Sequence, residues 1–298
     1  TKSFHGSTAG AVSTTFTFGR KGYGPTMPGV FAFPTPYCYR CSAGLEYPDC
    51  DFACLRFGEE TIKASTTGSL AAFIAEPILS AGGIIVPPED YFVEVKRLCD
   101  ELGMLLILDE AQTGYGRLGK MFGCEIFNIV PEIMATSKSL GAGVPVAATT
   151  TTEAIARDIE AKGFVHITSH LSDPLPSAVA LASVRAVQEE HLPERAAKMG
   201  EYLNRSLTEL SEEFKLIGEV RGKGLLIGVE LVKDRITKEP AEDEGTRLVD
   251  LCMDKGLIIG IVRGMGMSSV LRIAPPLVVT IEEIDKAVEI IRSSLRQL

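Results

Sequence analysis

No apolar run in this 298-residue chain approaches the ~20 residues needed to cross a bilayer, so no membrane-spanning helix is expected. Positive charge is not in excess either. Thirty Lys and Arg stand against 39 Asp and Glu, a net charge of −9, and the basic residues are spread along the chain. A nucleic-acid partner is therefore not expected. With 23% charged and 45% hydrophobic residues, and 29 Gly and 16 Pro without a period, disorder and collagen-like repetition are excluded. The chain opens Thr-Lys-Ser-Phe-His-Gly, without an initiator Met, a charged n-region or an apolar h-region, so the expectation is a fragment of a longer polypeptide without a signal peptide. An even complement of cysteine is lacking too: seven Cys argue against a complete disulfide framework. They favour a reducing compartment, with a cytoplasmic location expected and a mitochondrial one the alternative. Phosphate loops of the GxxxxGK[ST] kind and strand-borne GxGxxG are missing, which removes the common nucleotide-binding classes.

Four of the cysteines are crowded: Cys38, Cys41, Cys50 and Cys54 form a C-x2-C-x8-C-x3-C string. Thiolates so spaced could hold Zn²⁺, although the central gap fits no standard zinc motif. The alternative is a Pro/Tyr-rich surface loop with free thiols. Cys99, Cys124 and Cys252 sit among apolar residues and are expected in the core.

Leu70 to Ala75 is a continuous apolar run ending at Glu76-Pro77, the pattern of a strand buried on both faces. After Gly82-Gly83 and Pro87-Pro88 a helix is predicted, with Phe92, Val95, Leu98, Cys99 and Leu102 on one face and Gly103 closing it. Met104 to Leu108 is the next strand, ending at Asp109-Glu110, and the βαβ unit so formed favours a parallel sheet. Shorter strands are expected at Ile133 to Thr136 and Val144 to Thr149. Asp173-Pro174 opens a long helix as N-cap and first helical residue. Ile217 to Val232 reads as paired strands broken at Arg221 to Gly224, and Lys233 to Thr246 as a solvated loop. Gly256 to Val262 and Val270 to Ala274 read as further strands. A final helix carries the capping box Thr280-x-x-Glu283 and the apolar face Ile281, Ile284, Val288, Ile291 and Leu295. The expected class is α/β, with a mainly parallel-sheet large domain over 1–185 and a smaller α+β domain over 186–298.

The strongest chemical signal is Asp109-Glu110-Ala111-Gln112-Thr113-Gly114, where two carboxylates end a buried strand at the edge where open α/β sheets bind ligands. A helix N-cap is the bland alternative. The second is Ser137-Lys138-Ser139-Leu140-Gly141-Ala142-Gly143, in which a lysine lies between a short strand and a glycine-rich turn. A solvated lysine is the default there. Held in a semi-apolar crevice, it becomes an amine nucleophile for Schiff-base chemistry. Asp after one strand and Lys after a later one is the pair that pyridoxal phosphate requires, the lysine to hold it covalently and the aspartate to keep its ring nitrogen protonated.

With these motifs the sequence resembles the class-III aminotransferases of fold type I, on EPI-x3-GGI, LLILDE-x-QTG-x-GR, SK-x-LGAG, SDPLP and LRIAPP together. Within the class it looks most like the 2,2-dialkylglycine decarboxylases, through Ser169 to Pro176 and Gly222 to Glu230. The resemblance implies Lys138 as the Schiff-base lysine, Asp109 as the ring-nitrogen partner and Gln112 as donor to the phenolic oxygen. It implies Ala111 on one ring face and Phe4 on the other, and Ser169 reaching the cofactor phosphate of a neighbouring subunit. The implied assembly is a homodimer with a shared site, with a tetramer open. Arg272 would bind the substrate carboxylate, with Glu76 nearby as its partner when no acid is bound, and Ser7 would line the pocket that selects the bond to be broken. Ser169, Leu171 and Asp173 fall where the decarboxylase holds a structural alkali-metal ion; no catalytic metal is expected. Taken singly, Phe4 and His5 read as core residues, Arg272 as a surface residue and Glu76 as a strand terminus. Phe4, Ser7 and Ser169 depart from the decarboxylase's Trp, Met and Thr. The family's N-terminal third, with its phosphate-binding glycine/serine loop, is absent.

The implied function is pyridoxal-phosphate-dependent transamination between an amino acid or amine donor and an oxo acid, with a decarboxylating variant expected from the closer resemblance. The alternatives are an ordinary ω-amino acid or alanine–glyoxylate type transaminase, and a non-catalytic truncated chain.

Overall fold

The computed structural model describes residues 1–17, 20–263 and 269–298. Two four-stranded sheets organise the described residues. In the first, β1 (Ala72–Ala75), β2 (Leu105–Asp109) and β3 (Ile133–Thr136) run parallel, and β4 (Ala148–Thr151) closes the row antiparallel to β3. The second, with order β5-β6-β8-β7, is antiparallel throughout: β5 (Ile217–Lys223), β6 (Leu226–Leu231), β7 (Gly260–Arg263) and β8 (Ser269–Ile273). The eight α-helices among the described residues are α1 (Ala9–Thr14), α2 (Ala53–Ser65), α3 (Tyr91–Leu102), α4 (Glu153–Ala161), α5 (Pro174–Glu189), α6 (Leu192–Glu213), α7 (Glu242–Asp254) and α8 (Ile281–Leu295).

The expected βαβ unit is β1–α3–β2. Phe92, Val95, Leu98 and Cys99 of α3 are buried, and Gly103 ends the helix at φ 67°, a left-handed position that glycine takes without steric cost. Phe92 is 1% exposed, so truncating it to alanine costs about 3–5 kcal/mol. Thr280 and Glu283 form the expected capping box on α8. Ile284, Val288, Ile291 and Leu295 are buried there against the core of the second sheet.

Several expectations need correction. The run before Glu76 is not a strand buried on both faces: β1 is an edge strand, with Ala72 exposed and the rest half-buried. Asp173 precedes α5, but its side chain does not cap the helix, because His170 Nδ1 holds Asp173 Oδ2 at 2.8 Å. The stretch 233–246 is not wholly loop. Glu242, Asp243 and Glu244 occupy the first turn of α7, where acidic side chains complement the helix dipole. The break expected at Arg221 to Gly224 falls later, since β5 continues through Lys223.

The first sheet docks on the second through a close approach at Gly224. A Cβ there would come within 2.5 Å of the Leu118 carbonyl carbon. Leu225 N–H donates to Arg117 O at 2.9 Å, and Arg117 returns a guanidinium bond to Leu225 O. A second tie is Arg221 of β5, which donates to Ile84 O at 2.9 Å and to Gly83 O in the turn after β1, and pairs with fully buried Glu230 of its own sheet, which also accepts from Tyr37 and Arg40.

All seven cysteines are free thiols, and Cys99, Cys124 and Cys252 are buried as expected. Cys38 lies in a short 3-10 turn and Cys54 in the first turn of α2. Burial, then the neighbouring Cys54, Cys50 and Cys41, pushes the Cys38 thiol up to about 11. Among the described residues no three metal-ligating side chains gather into a ligand set, so the zinc reading of the string finds no support. Among them, too, no helix is long and apolar enough to cross a membrane.

Candidate active site

The parallel strands deliver three of the expected residues to one edge. Glu76 follows β1, Asp109 ends β2, and Lys138 comes two residues after β3. All three leave the carboxyl ends of parallel strands, where open α/β sheets bind ligands. The register fixes Asp109 opposite Ala135, whose carbonyl accepts the Glu110 N–H at 2.8 Å. Arg272 arrives from the other sheet, on β8, paired with Gly228 of β6 and Gly260 of β7.

Glu110 anchors the turn after β2. Its carboxylate is fully buried and accepts from Gly123 N–H at 2.9 Å, Cys124 N–H at 2.8 Å and the Thr113 hydroxyl. A buried carboxylate so satisfied is a structural fixture. It leaves Asp109 as the carboxylate that faces chemistry.

Asp109 accepts Ala111 N–H at 3.0 Å on Oδ1, and its Oδ2 lies 2.9 Å from His5 Nδ1. An ionised carboxylate only accepts, so Nδ1 carries the proton of that bond. His5 Nε2 is buried with no hydrogen-bond partner. Nothing in the sequence motifs places His5 here; taken singly it reads as a structural histidine.

Lys138 is in the left-handed region at φ 46°, a backbone conformation that costs a non-glycine residue on the order of 1–2 kcal/mol. Burial lowers the pKa of its ammonium even though the residue keeps solvent exposure. Asp109 and Glu76 act against that shift and Arg272 acts with it, so all three charges bear on the amine.

Gln112 Oε1 accepts from Ser80 Oγ at 2.7 Å and from the Arg272 guanidinium. With its carbonyl committed twice, the Nε2 end is the one that can serve an acceptor. Arg272 also donates through Nε to Ser80 Oγ at 3.2 Å. Its partners here are neutral, and burial lowers its pKa.

The expected pairing of Glu76 with Arg272 is not what forms. Glu76, 5% exposed, instead accepts Phe4 N–H at 2.8 Å and Ser80 N–H at 3.1 Å. Burial is the largest effect on its carboxyl and raises its pKa to about 7. The arginine instead donates to Ser80 on the turn after β1 and to Gln112 on the turn after β2. Phe4 and Ala111 are half-buried beside this network, one through its bond to Glu76 and the other through its bond to Asp109.

Ser7 and Ser169 are exposed, and neither hydrogen-bonds to these side chains within the described chain. Ser169 lies in an open stretch where Phe164 is 62%, Val165 70%, Ile167 80% and Leu175 72% exposed. Ser80 belongs to the network but was not singled out by the sequence motifs, since it falls in the unspecified gap of EPI-x3-GGI.

The donor set suits pyridoxal phosphate. It has an amine with a lowered pKa, a carboxylate held by two donors for a protonated ring nitrogen, an amide end for a phenolic oxygen and a cation for a carboxylate. The buried, unpartnered Nε2 of His5 marks the Asp109 side of the site as polar and unsatisfied without a further group.

The family model of the class-III aminotransferases matches residues 1–295. An uncharacterized aminotransferase of Schizosaccharomyces pombe is 44% identical over 98% of this chain and 66% of its own length. The leucine/methionine racemase of Thermococcus litoralis is 41% identical over 97% of the chain and 64% of its own length. Among solved structures, a Bacillus anthracis aminotransferase superposes with a TM-score of 0.94 at 35% identity, over 100% of this chain and 68% of that one. An amine transaminase from an uncultivated Pseudomonas species, described in its pyridoxal-phosphate-bound form, gives 0.92 at 33% identity over 99% of the chain and 68% of that one. The chain thus spans just under two thirds of the length of these curated relatives.

Proposed function

The chain belongs to the class-III aminotransferases, a pyridoxal-phosphate-dependent family of fold type I, and we propose that it carries the core of a transaminase site acting on an α-amino acid and an oxo acid. The observation that carries this reading is the delivery of Glu76, Asp109 and Lys138 to the carboxyl ends of three adjacent parallel strands, with Arg272 of β8 bonded to the turns between them. Bound pyridoxal phosphate supplies a ring that withdraws electrons from the substrate's α-carbon. Lys138 would hold it covalently until the substrate's amine displaces it, and the freed lysine amine, with its lowered pKa, would then take the α-proton on Nζ and return it from there. Asp109, fixed by His5 and Ala111, would keep the ring nitrogen protonated. Gln112 would donate from Nε2 to the phenolic oxygen. Phe4 and Ala111 would cover the two ring faces, and Arg272 would take the substrate carboxylate bidentately.

Ser169 and the exposed apolar stretch around it support a homodimer in which each subunit lends Ser169 to its neighbour's phosphate, with a tetramer as a further step. The two sheets support a division into a large domain over 1–185 and a small one over 186–298, the boundary falling within α5. Seven free thiols favour a reducing compartment such as the cytoplasm.

Two relatives are named racemases, of leucine/methionine and of alanine/serine, which makes racemisation the second reading. Both readings remove the α-proton. A decarboxylating variant rests on the sequence resemblance, with Ser7 as the residue expected to bear on which bond breaks. One assay separates the three. L-Alanine with an oxo acid yields pyruvate under the first reading and D-alanine under the second, whereas 2-methylalanine, which has no α-proton, releases CO2 only under the third. Absence of all three products in the cofactor-loaded protein would sink the proposal.

A further inference from the structure

Ser80 is fully buried and sits where the two sheets meet. Its backbone N–H donates to Glu76 Oε2 at 3.1 Å and its hydroxyl to Gln112 Oε1 at 2.7 Å. Arg272 Nε donates to Ser80 Oγ at 3.2 Å, and Arg272 Nη2 to the same Gln112 oxygen. A serine hydroxyl has a single proton. That proton is committed to Gln112, so only the oxygen lone pairs serve Arg272, and the direction of the hydroxyl is fixed. Serine, glutamine and arginine thus close a triangle whose corners come from the turn after β1, the turn after β2 and strand β8.

Both acceptors of the guanidinium in this triangle are neutral. A carboxylate adds the attraction of opposite charges and can accept two parallel N–H bonds from a guanidinium, which a single neutral amide oxygen cannot, so an incoming acid draws the guanidinium off Gln112 Oε1. Gln112 then keeps Ser80 as its remaining donor. We propose that Ser80 is a positioning residue: it holds the Gln112 amide while Arg272 exchanges that amide for the substrate carboxylate, and so joins carboxylate binding to the amide that serves the cofactor. The proposal deepens the transaminase reading and rests on it, by making an α-carboxylate the group the site senses.

The test compares wild type with Ser80→Ala, which removes one oxygen from a buried position. Calorimetry gives the Kd of propionate, a non-reacting carboxylate. A pH titration of the visible band of the pyridoxal-phosphate-loaded protein, with and without saturating propionate, reads the amide side. Losing the hydroxyl is expected to raise the propionate Kd roughly tenfold, in line with one lost hydrogen bond. Propionate should move the midpoint of the band titration in wild type, and move it less than half as far in the variant. An unchanged Kd or an unchanged displacement overturns the proposal, as does a wild type that binds no propionate. Should Ser80→Ala fail to fold, Ser80→Cys keeps the shape with a weaker donor and is expected to fall between the two. A wild type with no visible band refutes the transaminase reading instead, while the propionate Kd still decides whether Ser80 supports Arg272.

Discussion

His5 Nδ1 lies 2.9 Å from Asp109 Oδ2, with side chains 3% and 12% exposed. The contact spans 104 residues of sequence and makes the histidine the side-chain donor to the carboxylate that the cofactor's ring nitrogen would need. Replacing His5 by Ala leaves Asp109 with one backbone donor in a half-enclosed position. The penalty for such a loss is about 1–3 kcal/mol, so pyridoxal phosphate should bind roughly tenfold or more weakly to His5→Ala. Spectral titration with the cofactor measures it; equal affinity in variant and wild type would show that Ala111 N–H alone suffices.

Glu76 should make stability depend on pH. Its carboxyl, raised by burial from 4.5 to about 7, binds its proton more tightly in the folded chain than in the unfolded one. Its contribution to stability is therefore full below pH 4.5 and lost as pH rises through 7. A displacement of this size is worth at most about 3 kcal/mol. Glu76→Gln cannot titrate, so the stability of wild type relative to the variant should fall by up to that amount between acid and neutral pH. Urea unfolding at several pH values reads the difference, and a constant difference would contradict the argument.

The exposed stretch before α5 should behave as an interface. Only Val187 is buried along the 16 residues of α5, and Ile167 ahead of it is 80% exposed. Ile167→Asp places a charge in the proposed contact and should shift sedimentation from dimer toward monomer while leaving the thermal transition of the isolated subunit nearly in place. A monomeric wild type, or a variant that stays dimeric, would count against the shared site.

Periodic elements were legible in the sequence because their signal is local. The strand Ile133 to Thr136 and the capping box Thr280–Glu283 stand where they were expected. The edge position of β1 was not legible, since an apolar run does not say how many neighbours a strand has. The start of α7 was hidden because Glu242, Asp243 and Glu244 read equally well as a solvated stretch and as a favourable first turn. In the site, the motifs located Asp109, Gln112, Lys138 and Arg272 but not their partners. The bond from Arg272 to Ser80 crosses 192 residues, and that from Phe4 to Glu76 crosses 72. The resemblance implied a pairing of Glu76 with Arg272, and no spacing rule reaches far enough to show that a different network forms.

The central claim is that Lys138 is the amine that holds pyridoxal phosphate. Wild type and Lys138→Ala should each be incubated with the cofactor, reduced with borohydride, digested and mapped. The account predicts a borohydride-sensitive visible band in wild type, a fixed adduct on the peptide carrying Lys138, and neither in the variant. An adduct on another lysine, or the same band in Lys138→Ala, would contradict it.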